Sequence, residues 1–455
     1  MTDLEVARER LDGLGARYLW ISYHDYAGLA RAKAVGPDRL DDALVHGVGW
    51  AKANWDLAIT DHQVPEPAYA ADSGDLRLVP DPATIRPLPH RERAALAYGW
   101  LAEPDGTPWG GDPRRRLAAA EEALRTRGLT VSTGIEAEFY FARRSEDGSF
   151  EPDDRGRMFS QAELDARWWF LEAVLEGLAT MGIAVHQIAK EYGQGQYELS
   201  LLPTGALAAV DAFLAARDLI KALARDEGVV AAFMPKPHED FPGCGLHVHL
   251  SLSDASGEDV VIDPGDPDRL STTGEAAVAG LLAHAVGQTA LGSATPNSFK
   301  RLLPGSWAPA HAMWAFGNRS ALIRIPSPGA GRHLEYRSGD MSANLYLHLT
   351  GLLAAIVDGL DRGAQPPPAV QADVGHLSDA DAAALGAQRL PTRLDAALDA
   401  LEADSVLRAA LGPIVVPHYL AVKRFEWASY LAESGLEPTD VRVSEWERDA
   451  YLEHV

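Results

Sequence analysis

Apolar residues recur along this chain with two different periods, and the two periods alternate without a regular rhythm. Alternation with period two is typical of β-strands. It predicts nine strands, at residues 16–23, 30–35, 129–142, 183–189, 196–201, 229–234, 246–252, 321–325 and 333–337. Apolar positions three and four apart, bounded by capping residues, predict helices. These occupy residues 39–46, 114–127, 161–180, 206–227, 275–291 and 344–362, and surface helices are expected over 379–411.

A boundary between two domains is predicted just before residue 110. Six prolines between residues 65 and 89 indicate irregular structure that crosses a surface. Gly110-Gly111-Asp112-Pro113 then supplies two glycines, an N-cap and a first-turn proline for the next helix. We therefore predict an α+β protein in which residues 1–107 form a small domain and residues 108–455 a large one.

Composition and charge exclude several classes of protein. The 455 residues carry 41 basic and 65 acidic side chains, a formal net charge of −24, with a hydrophobic fraction of 47%. That charge repels phosphate backbones and anionic lipid, so we expect neither a nucleic-acid nor a membrane partner. Cys244 is the single cysteine, which excludes an intrachain disulfide and cysteine-based metal sites. The acidic N-terminus lacks a signal-peptide pattern, and the apolar residues 276–294 predict a buried helix, so we expect a cytoplasmic protein.

Chemically active residues stand two apart on three of the predicted strands. The pairs are Glu136 and Glu138, His247 and His249, and Glu335 and Arg337. Residues two apart on a strand share one face, so each pair points to one side. Two carboxylates at that range raise each other's pKa unless a cation lies between them. Glu191 and Glu198 flank a Gly/Gln turn, as a hairpin presents them.

Each pair also has an ordinary structural interpretation, as a solvent-facing carboxylate pair or as satisfied polar groups. Five carboxylates with one or two imidazoles jointly favour Mg²⁺ or Mn²⁺ over zinc. Arginines accompany them at 301, 319, 324, 332 and 337. They either pair with the acidic excess or hold phosphoryl and carboxylate oxygens bidentately. The residues therefore suggest metal-assisted phosphoryl transfer onto a carboxylate.

Six motifs, in one order over residues 110–350, resemble those of the glutamine synthetase superfamily. They are Gly134-Ile-Glu136-Ala-Glu138-Phe, Glu191 with Gln196-Tyr-Glu198, Gly245-Leu-His247-Val-His249-Leu-Ser251, Asn297-Ser-Phe-Lys300-Arg301, Asn318-Arg319 with Arg324-Ile-Pro326, and Glu335-Tyr-Arg337. The resemblance implies a β-grasp-like N-terminal domain. It also implies a catalytic domain whose antiparallel strands form an open funnel surrounded by helices, and a ring-shaped homo-oligomer, often of two stacked hexamers.

The same resemblance assigns a role to each site residue. Glu138, Glu191 and Glu198 would hold one Mg²⁺ or Mn²⁺, and Glu136, His247 and Glu335 the second. Arg301 and Arg337 would bind glutamate, with Gly243 contributing backbone. Arg319 and Arg324 would stabilise the transferring phosphate, and His249 and Ser251 would lie on the ATP side. The implied reaction activates the γ-carboxylate of glutamate as an acyl phosphate, from which an amine displaces phosphate.

Departures from the family pattern concern the nitrogen donor. Where ammonia-using members carry a flap glutamate, this chain reads Pro304-Gly305-Ser306-Trp307-Ala308-Pro309. The ammonium-binding Asp-Gly-Ser-Ser segment is replaced by residues 47–55, and Pro242 replaces a usual asparagine. The flap is similar to that of the γ-glutamylmethylamide synthetase-like branch, so Trp307 is a predicted catalytic-site residue. A glutamate–amine ligase is the leading hypothesis. Glutamine synthetase proper and a non-catalytic ring-forming relative remain alternatives.

Overall fold

In a computed structural model of the chain, residues 2–144, 150–326 and 332–455 are described. The N-terminal part is built on one mixed sheet with two helices. Its elements are α1 (Asp3–Gly13), β1 (Tyr18–His24), β2 (Ala30–Val35), α2 (Leu40–His46), β3 (Val48–Ala51), β4 (Asp75–Pro80), β5 (Arg86–Pro87) and β6 (Ala94–Ala102). The strand order is β2-β1-β6-β4-β3, with β5 beside β6. Strands β1 and β6 are parallel, and the other pairs are antiparallel.

The remaining strands form one large sheet and two short ribbons. They are β7 (Thr130–Arg144), β8 (Phe150–Pro152), β9 (Val185–Lys190), β10 (Gln196–Leu201), β11 (Val230–Ala232), β12 (Leu246–Ser253), β13 (Ile262–Asp263), β14 (Asp266–Leu270), β15 (His311–Ala312), β16 (Trp314–Phe316), β17 (Ile323–Ile325), β18 (Leu334–Gly339) and β19 (Gln388–Arg389). The large sheet has the order β16-β17-β18-β12-β7-β10-β9, with β8 and β11 also pairing β7.

Helices surround this sheet, as predicted. They are α3 (Pro113–Arg125), α4 (Gln161–Thr180), α5 (Ala206–Asp226), α6 (Thr272–Ala283), α7 (Ala285–Gly292), α8 (Leu345–Arg362), α9 (Asp379–Ala384), α10 (Leu394–Ala403), α11 (Ser405–Glu433) and α12 (Glu445–Tyr451). Helix α5 packs on β7 and buries side chains such as Phe213 and Ile220 against it. The α+β class and the arrangement of a small and a large domain are confirmed.

Two predicted elements differ from the structure. The helix over 275–291 is two helices that meet at His284, whose ring lies 2.7 Å from Asp404 Oδ2 and 3.0 Å from Asp358 Oδ2. The proline-rich region holds β4 and β5, so its irregular structure is only partial. Helix α10 agrees with the predicted surface helices, because Leu394 and Leu398 are buried on one face while Asp399 and Glu402 are exposed on the other. Helical spacing alone does not reveal which neighbour covers a helix.

Buried polar contacts join the N-terminal part to helix α11. His418 Nδ1 donates to Asp56 Oδ1 at 2.5 Å. The carboxylate of Glu426 accepts from the backbone N–H of Ile59 at 3.0 Å and from Lys423 Nζ at 3.0 Å. By length and composition α11 alone among the described helices is apolar enough to cross a membrane, yet half of that segment is buried inside the protein. We interpret α11 as a core helix.

Candidate active site

The register of three central strands places acidic and imidazole side chains side by side on one face of the large sheet. Glu138 on β7 lies opposite Glu198 on β10. Glu136, two residues earlier on β7, lies opposite His247 on β12. Because residues two apart on a strand share a face, these four side chains converge. The predicted pairing of Glu136 with Glu138 on one face therefore brings them to the centre of the sheet.

Strands β18 and β17 extend the cluster toward the arginines. His247 Nδ1 lies 2.7 Å from Glu136 Oε1 and 3.7 Å from Glu335 Oε1. Arg324 Nη1 donates to Glu335 Oε2 at 2.7 Å, and Arg337 Nη1 donates to Glu335 Oε1. Burial raises the pKa of Glu335, but the charges of Arg337 and the neighbouring histidines and Arg324 outweigh it and lower the pKa to about 2. Glu335 is therefore ionised and fixed between two guanidinium groups.

The opposite side of the cluster is rich in negative charge. Burial, followed by the charge of Glu138, raises the pKa of Glu191 to about 7. Burial and the charges of Glu136, Glu138 and Glu191 raise the pKa of Glu198 far above its usual range. Glu138 is held by the backbone N–H of Gly245 at 2.8 Å. A bound cation would relieve this repulsion and keep all the carboxylates ionised.

The donor atoms fit hard divalent cations. Glu136, Glu198 and His247 place one donor atom each within 4.8 Å of one another, and so do Glu136, His249 and Glu335. Carboxylate oxygens with one imidazole match the preferences of Mg²⁺ and Mn²⁺. His249, predicted on the ATP side, thus lies within reach of the same cations, with its Nε2 3.7 Å from Glu136 Oε2. The predicted division of the ligands into two sets stays a prediction.

Arg301 lies directly over the glycine segment that precedes β12. It is buried, and its guanidinium donates to the carbonyl oxygens of Ser338 at 3.0 Å and Arg337 at 3.1 Å. A Cβ at Gly243 would lie 2.7 Å from Arg301 Cγ, and one at Gly245 would lie 2.9 Å from Arg301 Nη2. Because neither glycine has a Cβ, the Arg301 guanidinium fits against this segment and lies beside the carboxylates of the cluster. The predicted glutamate-binding residues Gly243, Arg301 and Arg337 are therefore neighbours.

Three predicted residues lie outside this cluster. The backbone oxygen of Arg319 accepts from Arg337 Nε at 3.2 Å, while the Arg319 side chain is exposed. Ser251 pairs with Ser132, farther along β12. Trp307 is 67% exposed and has a φ of 62°, in the left-handed region that non-glycine residues rarely adopt. Trp307, which is predicted to face the nitrogen donor, thus stands on a loop rather than on the sheet.

Several polar groups support the cluster that the sequence analysis did not predict. Gln196 Nε2 donates to Glu138 Oε2 at 3.3 Å and to the carbonyl of Gly243 at 3.0 Å. Ser200 Oγ donates to Glu136 Oε2 at 3.1 Å. His333 Nε2 lies 2.7 Å from His249 Nδ1. Gln196 and Ser200 each stand two positions from Glu198 on β10, and His333 stands two positions before Glu335, just ahead of β18, so extending the period-two rule by one step finds them.

Comparisons with known proteins cover nearly the whole chain. The family model described as the glutamine synthetase catalytic domain matches residues 110–451, and that of the glutamine synthetase N-terminal domain matches residues 9–109. The chain belongs to the glutamine synthetase family. A glutamine synthetase of Halobacterium salinarum is 33% identical over 100% of this chain and 97% of its own length. One of Thermus thermophilus is 35% identical over 84% of this chain and 85% of its own length.

Solved structures of the family share the fold closely. A structure described as a novel glutamine synthase homolog has a TM-score of 0.82 and 31% identity, covering 96% of this chain and 99% of its own. One described as a GmaS/ADP complex also has a TM-score of 0.82, with 30% identity and 98% coverage of both chains. As a family member the chain is an ATP-dependent glutamate–ammonia or glutamate–amine ligase that uses divalent metal ions.

Proposed function

We propose that this ligase joins glutamate to a small primary amine in preference to ammonium. The observation that carries the proposal is Trp307, which stands on the exposed loop where an ammonia-using site needs a carboxylate. Ammonium and alkylammonium ions must both lose a proton before nitrogen can attack, so the loop distinguishes them by the group that contacts the donor and not by the need for a base. An indole offers no carboxylate. It offers instead an apolar body and a π-face that attracts an alkylammonium ion.

The arginines supply the contacts that the first half-reaction needs. Arg301 and Arg337, with the backbone of Gly243, bind and orient glutamate. Arg324 and Arg319 stabilise the negative charge of the phosphoryl group as it passes from ATP to the γ-carboxylate. Arg324 is held in place by Glu335 at 2.7 Å, which fixes the planar guanidinium before the substrates arrive.

The carboxylates and imidazoles are the proposed metal ligands. Glu138, Glu191 and Glu198 would hold one Mg²⁺ or Mn²⁺, and Glu136, His247 and Glu335 the other. Such ions neutralise phosphate charge and orient the γ-phosphate when bound. His249 and Ser251 bind on the ATP side, where His333 fixes the orientation of the His249 ring through the 2.7 Å contact.

Structural similarity supports the amine proposal. Two structures described as GmaS, a γ-glutamylmethylamide synthetase, resemble this chain over nearly its full length. Their TM-scores are 0.82 and 0.81. The curated relatives of similar identity are called glutamine synthetases. Overall similarity therefore does not identify the nitrogen donor, and the proposal depends on the loop that carries Trp307. We further propose that the enzyme works in the cytoplasm as a homo-oligomeric ring of two stacked hexamers, with residues 1–107 and 108–455 as its domains.

A panel of nitrogen donors tests the proposal. Phosphate release is measured with saturating glutamate and Mg-ATP against ammonium, methylamine, ethylamine, ethanolamine and putrescine. We expect a higher kcat/KM for a small primary monoamine than for ammonium. Trp307→Glu should shift the preference toward ammonium, while the control Trp307→Phe, which keeps an aromatic ring, should retain the amine preference. Equal or better use of ammonium by the unmodified enzyme would make this protein an ordinary glutamine synthetase.

A further inference from the structure

The turn between β9 and β10 differs from the rest of the charged cluster in how it is supported. Of the six proposed metal ligands, five stand on paired strands, and Glu191 stands at the first position of this turn. Two glycines follow it, at 193 and 195, and Gly195 has a φ of 71°. Glycine leaves a turn many accessible conformations. The direction of the Glu191 side chain therefore depends on contacts that fix the turn itself.

A buried ammonium group fixes the backbone of this turn. Lys190 is the last residue of β9, and its side chain is fully buried. Its Nζ donates to the carbonyl oxygen of Glu191 at 3.0 Å and to that of Gly193 at 2.5 Å. The backbone N–H of Glu191 donates to the carbonyl oxygen of Gln196 at 2.8 Å. Because each peptide group is planar, holding both groups that flank the Cα of Glu191 sets the direction of its side chain.

A carboxylate supports the turn from the other side. Burying an ammonium group is costly unless an opposite charge lies nearby, and Asp154 Oδ1 lies 3.9 Å from Lys190 Nζ. The same oxygen accepts from the backbone N–H groups of Gly195 at 2.7 Å and Gly156 at 2.9 Å. Lys190 thus binds carbonyl groups at the start of the turn, and Asp154 binds an N–H group at its end.

The supported turn is linked to the carboxylates on the sheet. The backbone N–H of Gly193 donates to Gln196 Oε1 at 2.8 Å. The amide nitrogen of the same side chain donates to Glu138 Oε2 at 3.3 Å, and Glu198 lies two residues further along β10. A shift of the turn would therefore change the position of Glu191 relative to both of the carboxylates with which it is proposed to share a cation.

We propose that Lys190, held by Asp154, is a positioning residue for the divalent cation of Glu138, Glu191 and Glu198. It acts through the backbone of the turn, which it holds so that the Glu191 carboxylate meets the other two ligands. The inference rests on the proposed function, because it takes that ligand set as given. It adds to that function a residue, outside the six ligands, on which the affinity for one of the two cations depends.

The second proposed cation provides an internal reference. Its ligands Glu136, His247 and Glu335 stand on β7, β12 and β18, and β12 pairs with both of the other strands. Strand register, rather than the turn, fixes the faces of these side chains. Loss of the Lys190 ammonium should therefore weaken the binding of one cation and leave the other nearly unchanged, whereas general damage to the fold would weaken both.

Titration of the enzyme with Mn²⁺ alone tests this expectation, with the electron paramagnetic resonance signal of free Mn²⁺ as the readout. Lys190→Met removes the ammonium group and keeps an unbranched side chain that fills the space. We expect the Kd of one Mn²⁺ ion to rise about ten- to a hundredfold, the range for partners of metal ligands, and that of the other to change less than about twofold. In turnover assays, the Mn²⁺ concentration for half-maximal rate should rise, while kcat at saturating Mn²⁺ should stay nearly unchanged.

Two further variants make the test specific. Asp154→Asn keeps an oxygen for the backbone N–H groups of the turn but removes the charge beside Lys190, so it should cause a smaller loss of the same kind. It decides the question if circular dichroism shows that Lys190→Met does not fold. Lys221→Met is the matched control, since Lys221 Nζ also donates to a backbone oxygen, that of Val455 at 2.9 Å. It should retain both Mn²⁺ affinities.

The outcomes separate the inference from the proposed ligand set. Glu191→Gln should weaken the same single Mn²⁺ ion. If it does, and both Lys190→Met and Asp154→Asn leave the two affinities unchanged or weaken both equally, the inference is overturned. If Glu191→Gln itself leaves both affinities unchanged, the ligand set of the proposed function fails. These titrations contain no substrate, so they stay decisive whichever amine the enzyme uses.

Discussion

Two regions of this enzyme divide its chemistry, and they are built in different ways. The charged cluster stands on β10, β7, β12, β18 and β17, where strand pairing sets every neighbour. The region around Trp307 stands on loops and a short turn, where Trp307 itself has a φ of 62°. We propose that the cluster performs the phosphoryl transfer of the family's reaction. The loop region is where we propose that the nitrogen donor binds.

The comparison shows that the fixed geometry of the charged groups and the adaptable contacts with the nitrogen donor depend on different elements, the sheet and the loops. A carboxylate on a paired strand cannot move without disturbing the hydrogen bonds of its neighbours, so metal and phosphate geometry are fixed. A side chain on a loop changes without affecting the sheet, so the donor site adapts to different amines. Substitutions in the cluster should therefore abolish turnover, whereas those in the loop region should change which nitrogen donor is used.

The largest effect is expected from Glu138→Ala. This change removes a proposed metal ligand at the centre of the cluster and should lower turnover by more than the roughly hundredfold that outer partners of metal ligands cost. The unmodified enzyme should melt at a higher temperature when Mg²⁺ is added, by mass action, and the variant should lose most of that increase. Circular dichroism checks that the fold persists. Full turnover in the variant would show that the cluster takes no part in the reaction.

Two arginine variants should separate phosphoryl transfer from glutamate binding within the cluster. Each should lose less activity than Glu138→Ala. Arg324→Lys keeps the charge but loses the planar guanidinium, so kcat should fall roughly tenfold or more with little change in the KM for glutamate. Arg337→Lys should act mainly by raising the KM for glutamate. Steady-state kinetics with each substrate varied in turn measures both. The reverse pattern would mean that their proposed roles are exchanged.

The smallest effect is expected far from both regions, at His284. Burial lowers the pKa of this histidine, but hydrogen bonds to Asp404 and Asp358 outweigh it and raise the pKa above its usual 6.5. The charged ring therefore stabilises the fold below pH 6.5, and that stability is lost as the pH rises through the raised pKa.

His284→Gln should accordingly lower the free energy of unfolding by about 1–2 kcal/mol near pH 6 and by clearly less near pH 9. Urea unfolding at the two pH values measures the difference. The KM values for amine and glutamate should not change, which separates stability from chemistry. An equal loss at both pH values would mean that the ring contributes by packing alone.

The sequence predicted the cluster better than it predicted the scaffold around it. The period of two on β7, β12 and β18 identified the charged pairs, because alternate residues of a strand point to the same face of the sheet. The same rule did not find β6, since its alanines and Tyr98 are buried on both faces and show no alternation. It did not separate α6 from α7 either, because His284 breaks the helix through contacts with residues more than 70 positions away.

The loop region was predicted only in part. The Trp-Ala-Pro flap was recognised from its resemblance to a branch of the family, yet its contact with the turn at residues 373–376 was not predicted. His311 and Ala312 pair with Arg389 and Gln388, and the turn at residues 373–376 lies beside the loop because Gly375 packs on Gly305. The spacing of residues along the sequence does not predict contacts of this kind.

Cross-strand register also governs which changes in chain length this protein tolerates. Glu136, Glu138, Glu198, His247 and Glu335 all depend on one alignment of paired strands. Inserting or deleting a single residue within β7 would turn the carboxylates beyond that point to the opposite face of the sheet. Insertions in the segments that hold Trp307 and Asp373 carry no such penalty. Changes of length in these loops therefore leave the register of the charged strands unaltered, whereas the strands themselves accept substitution only.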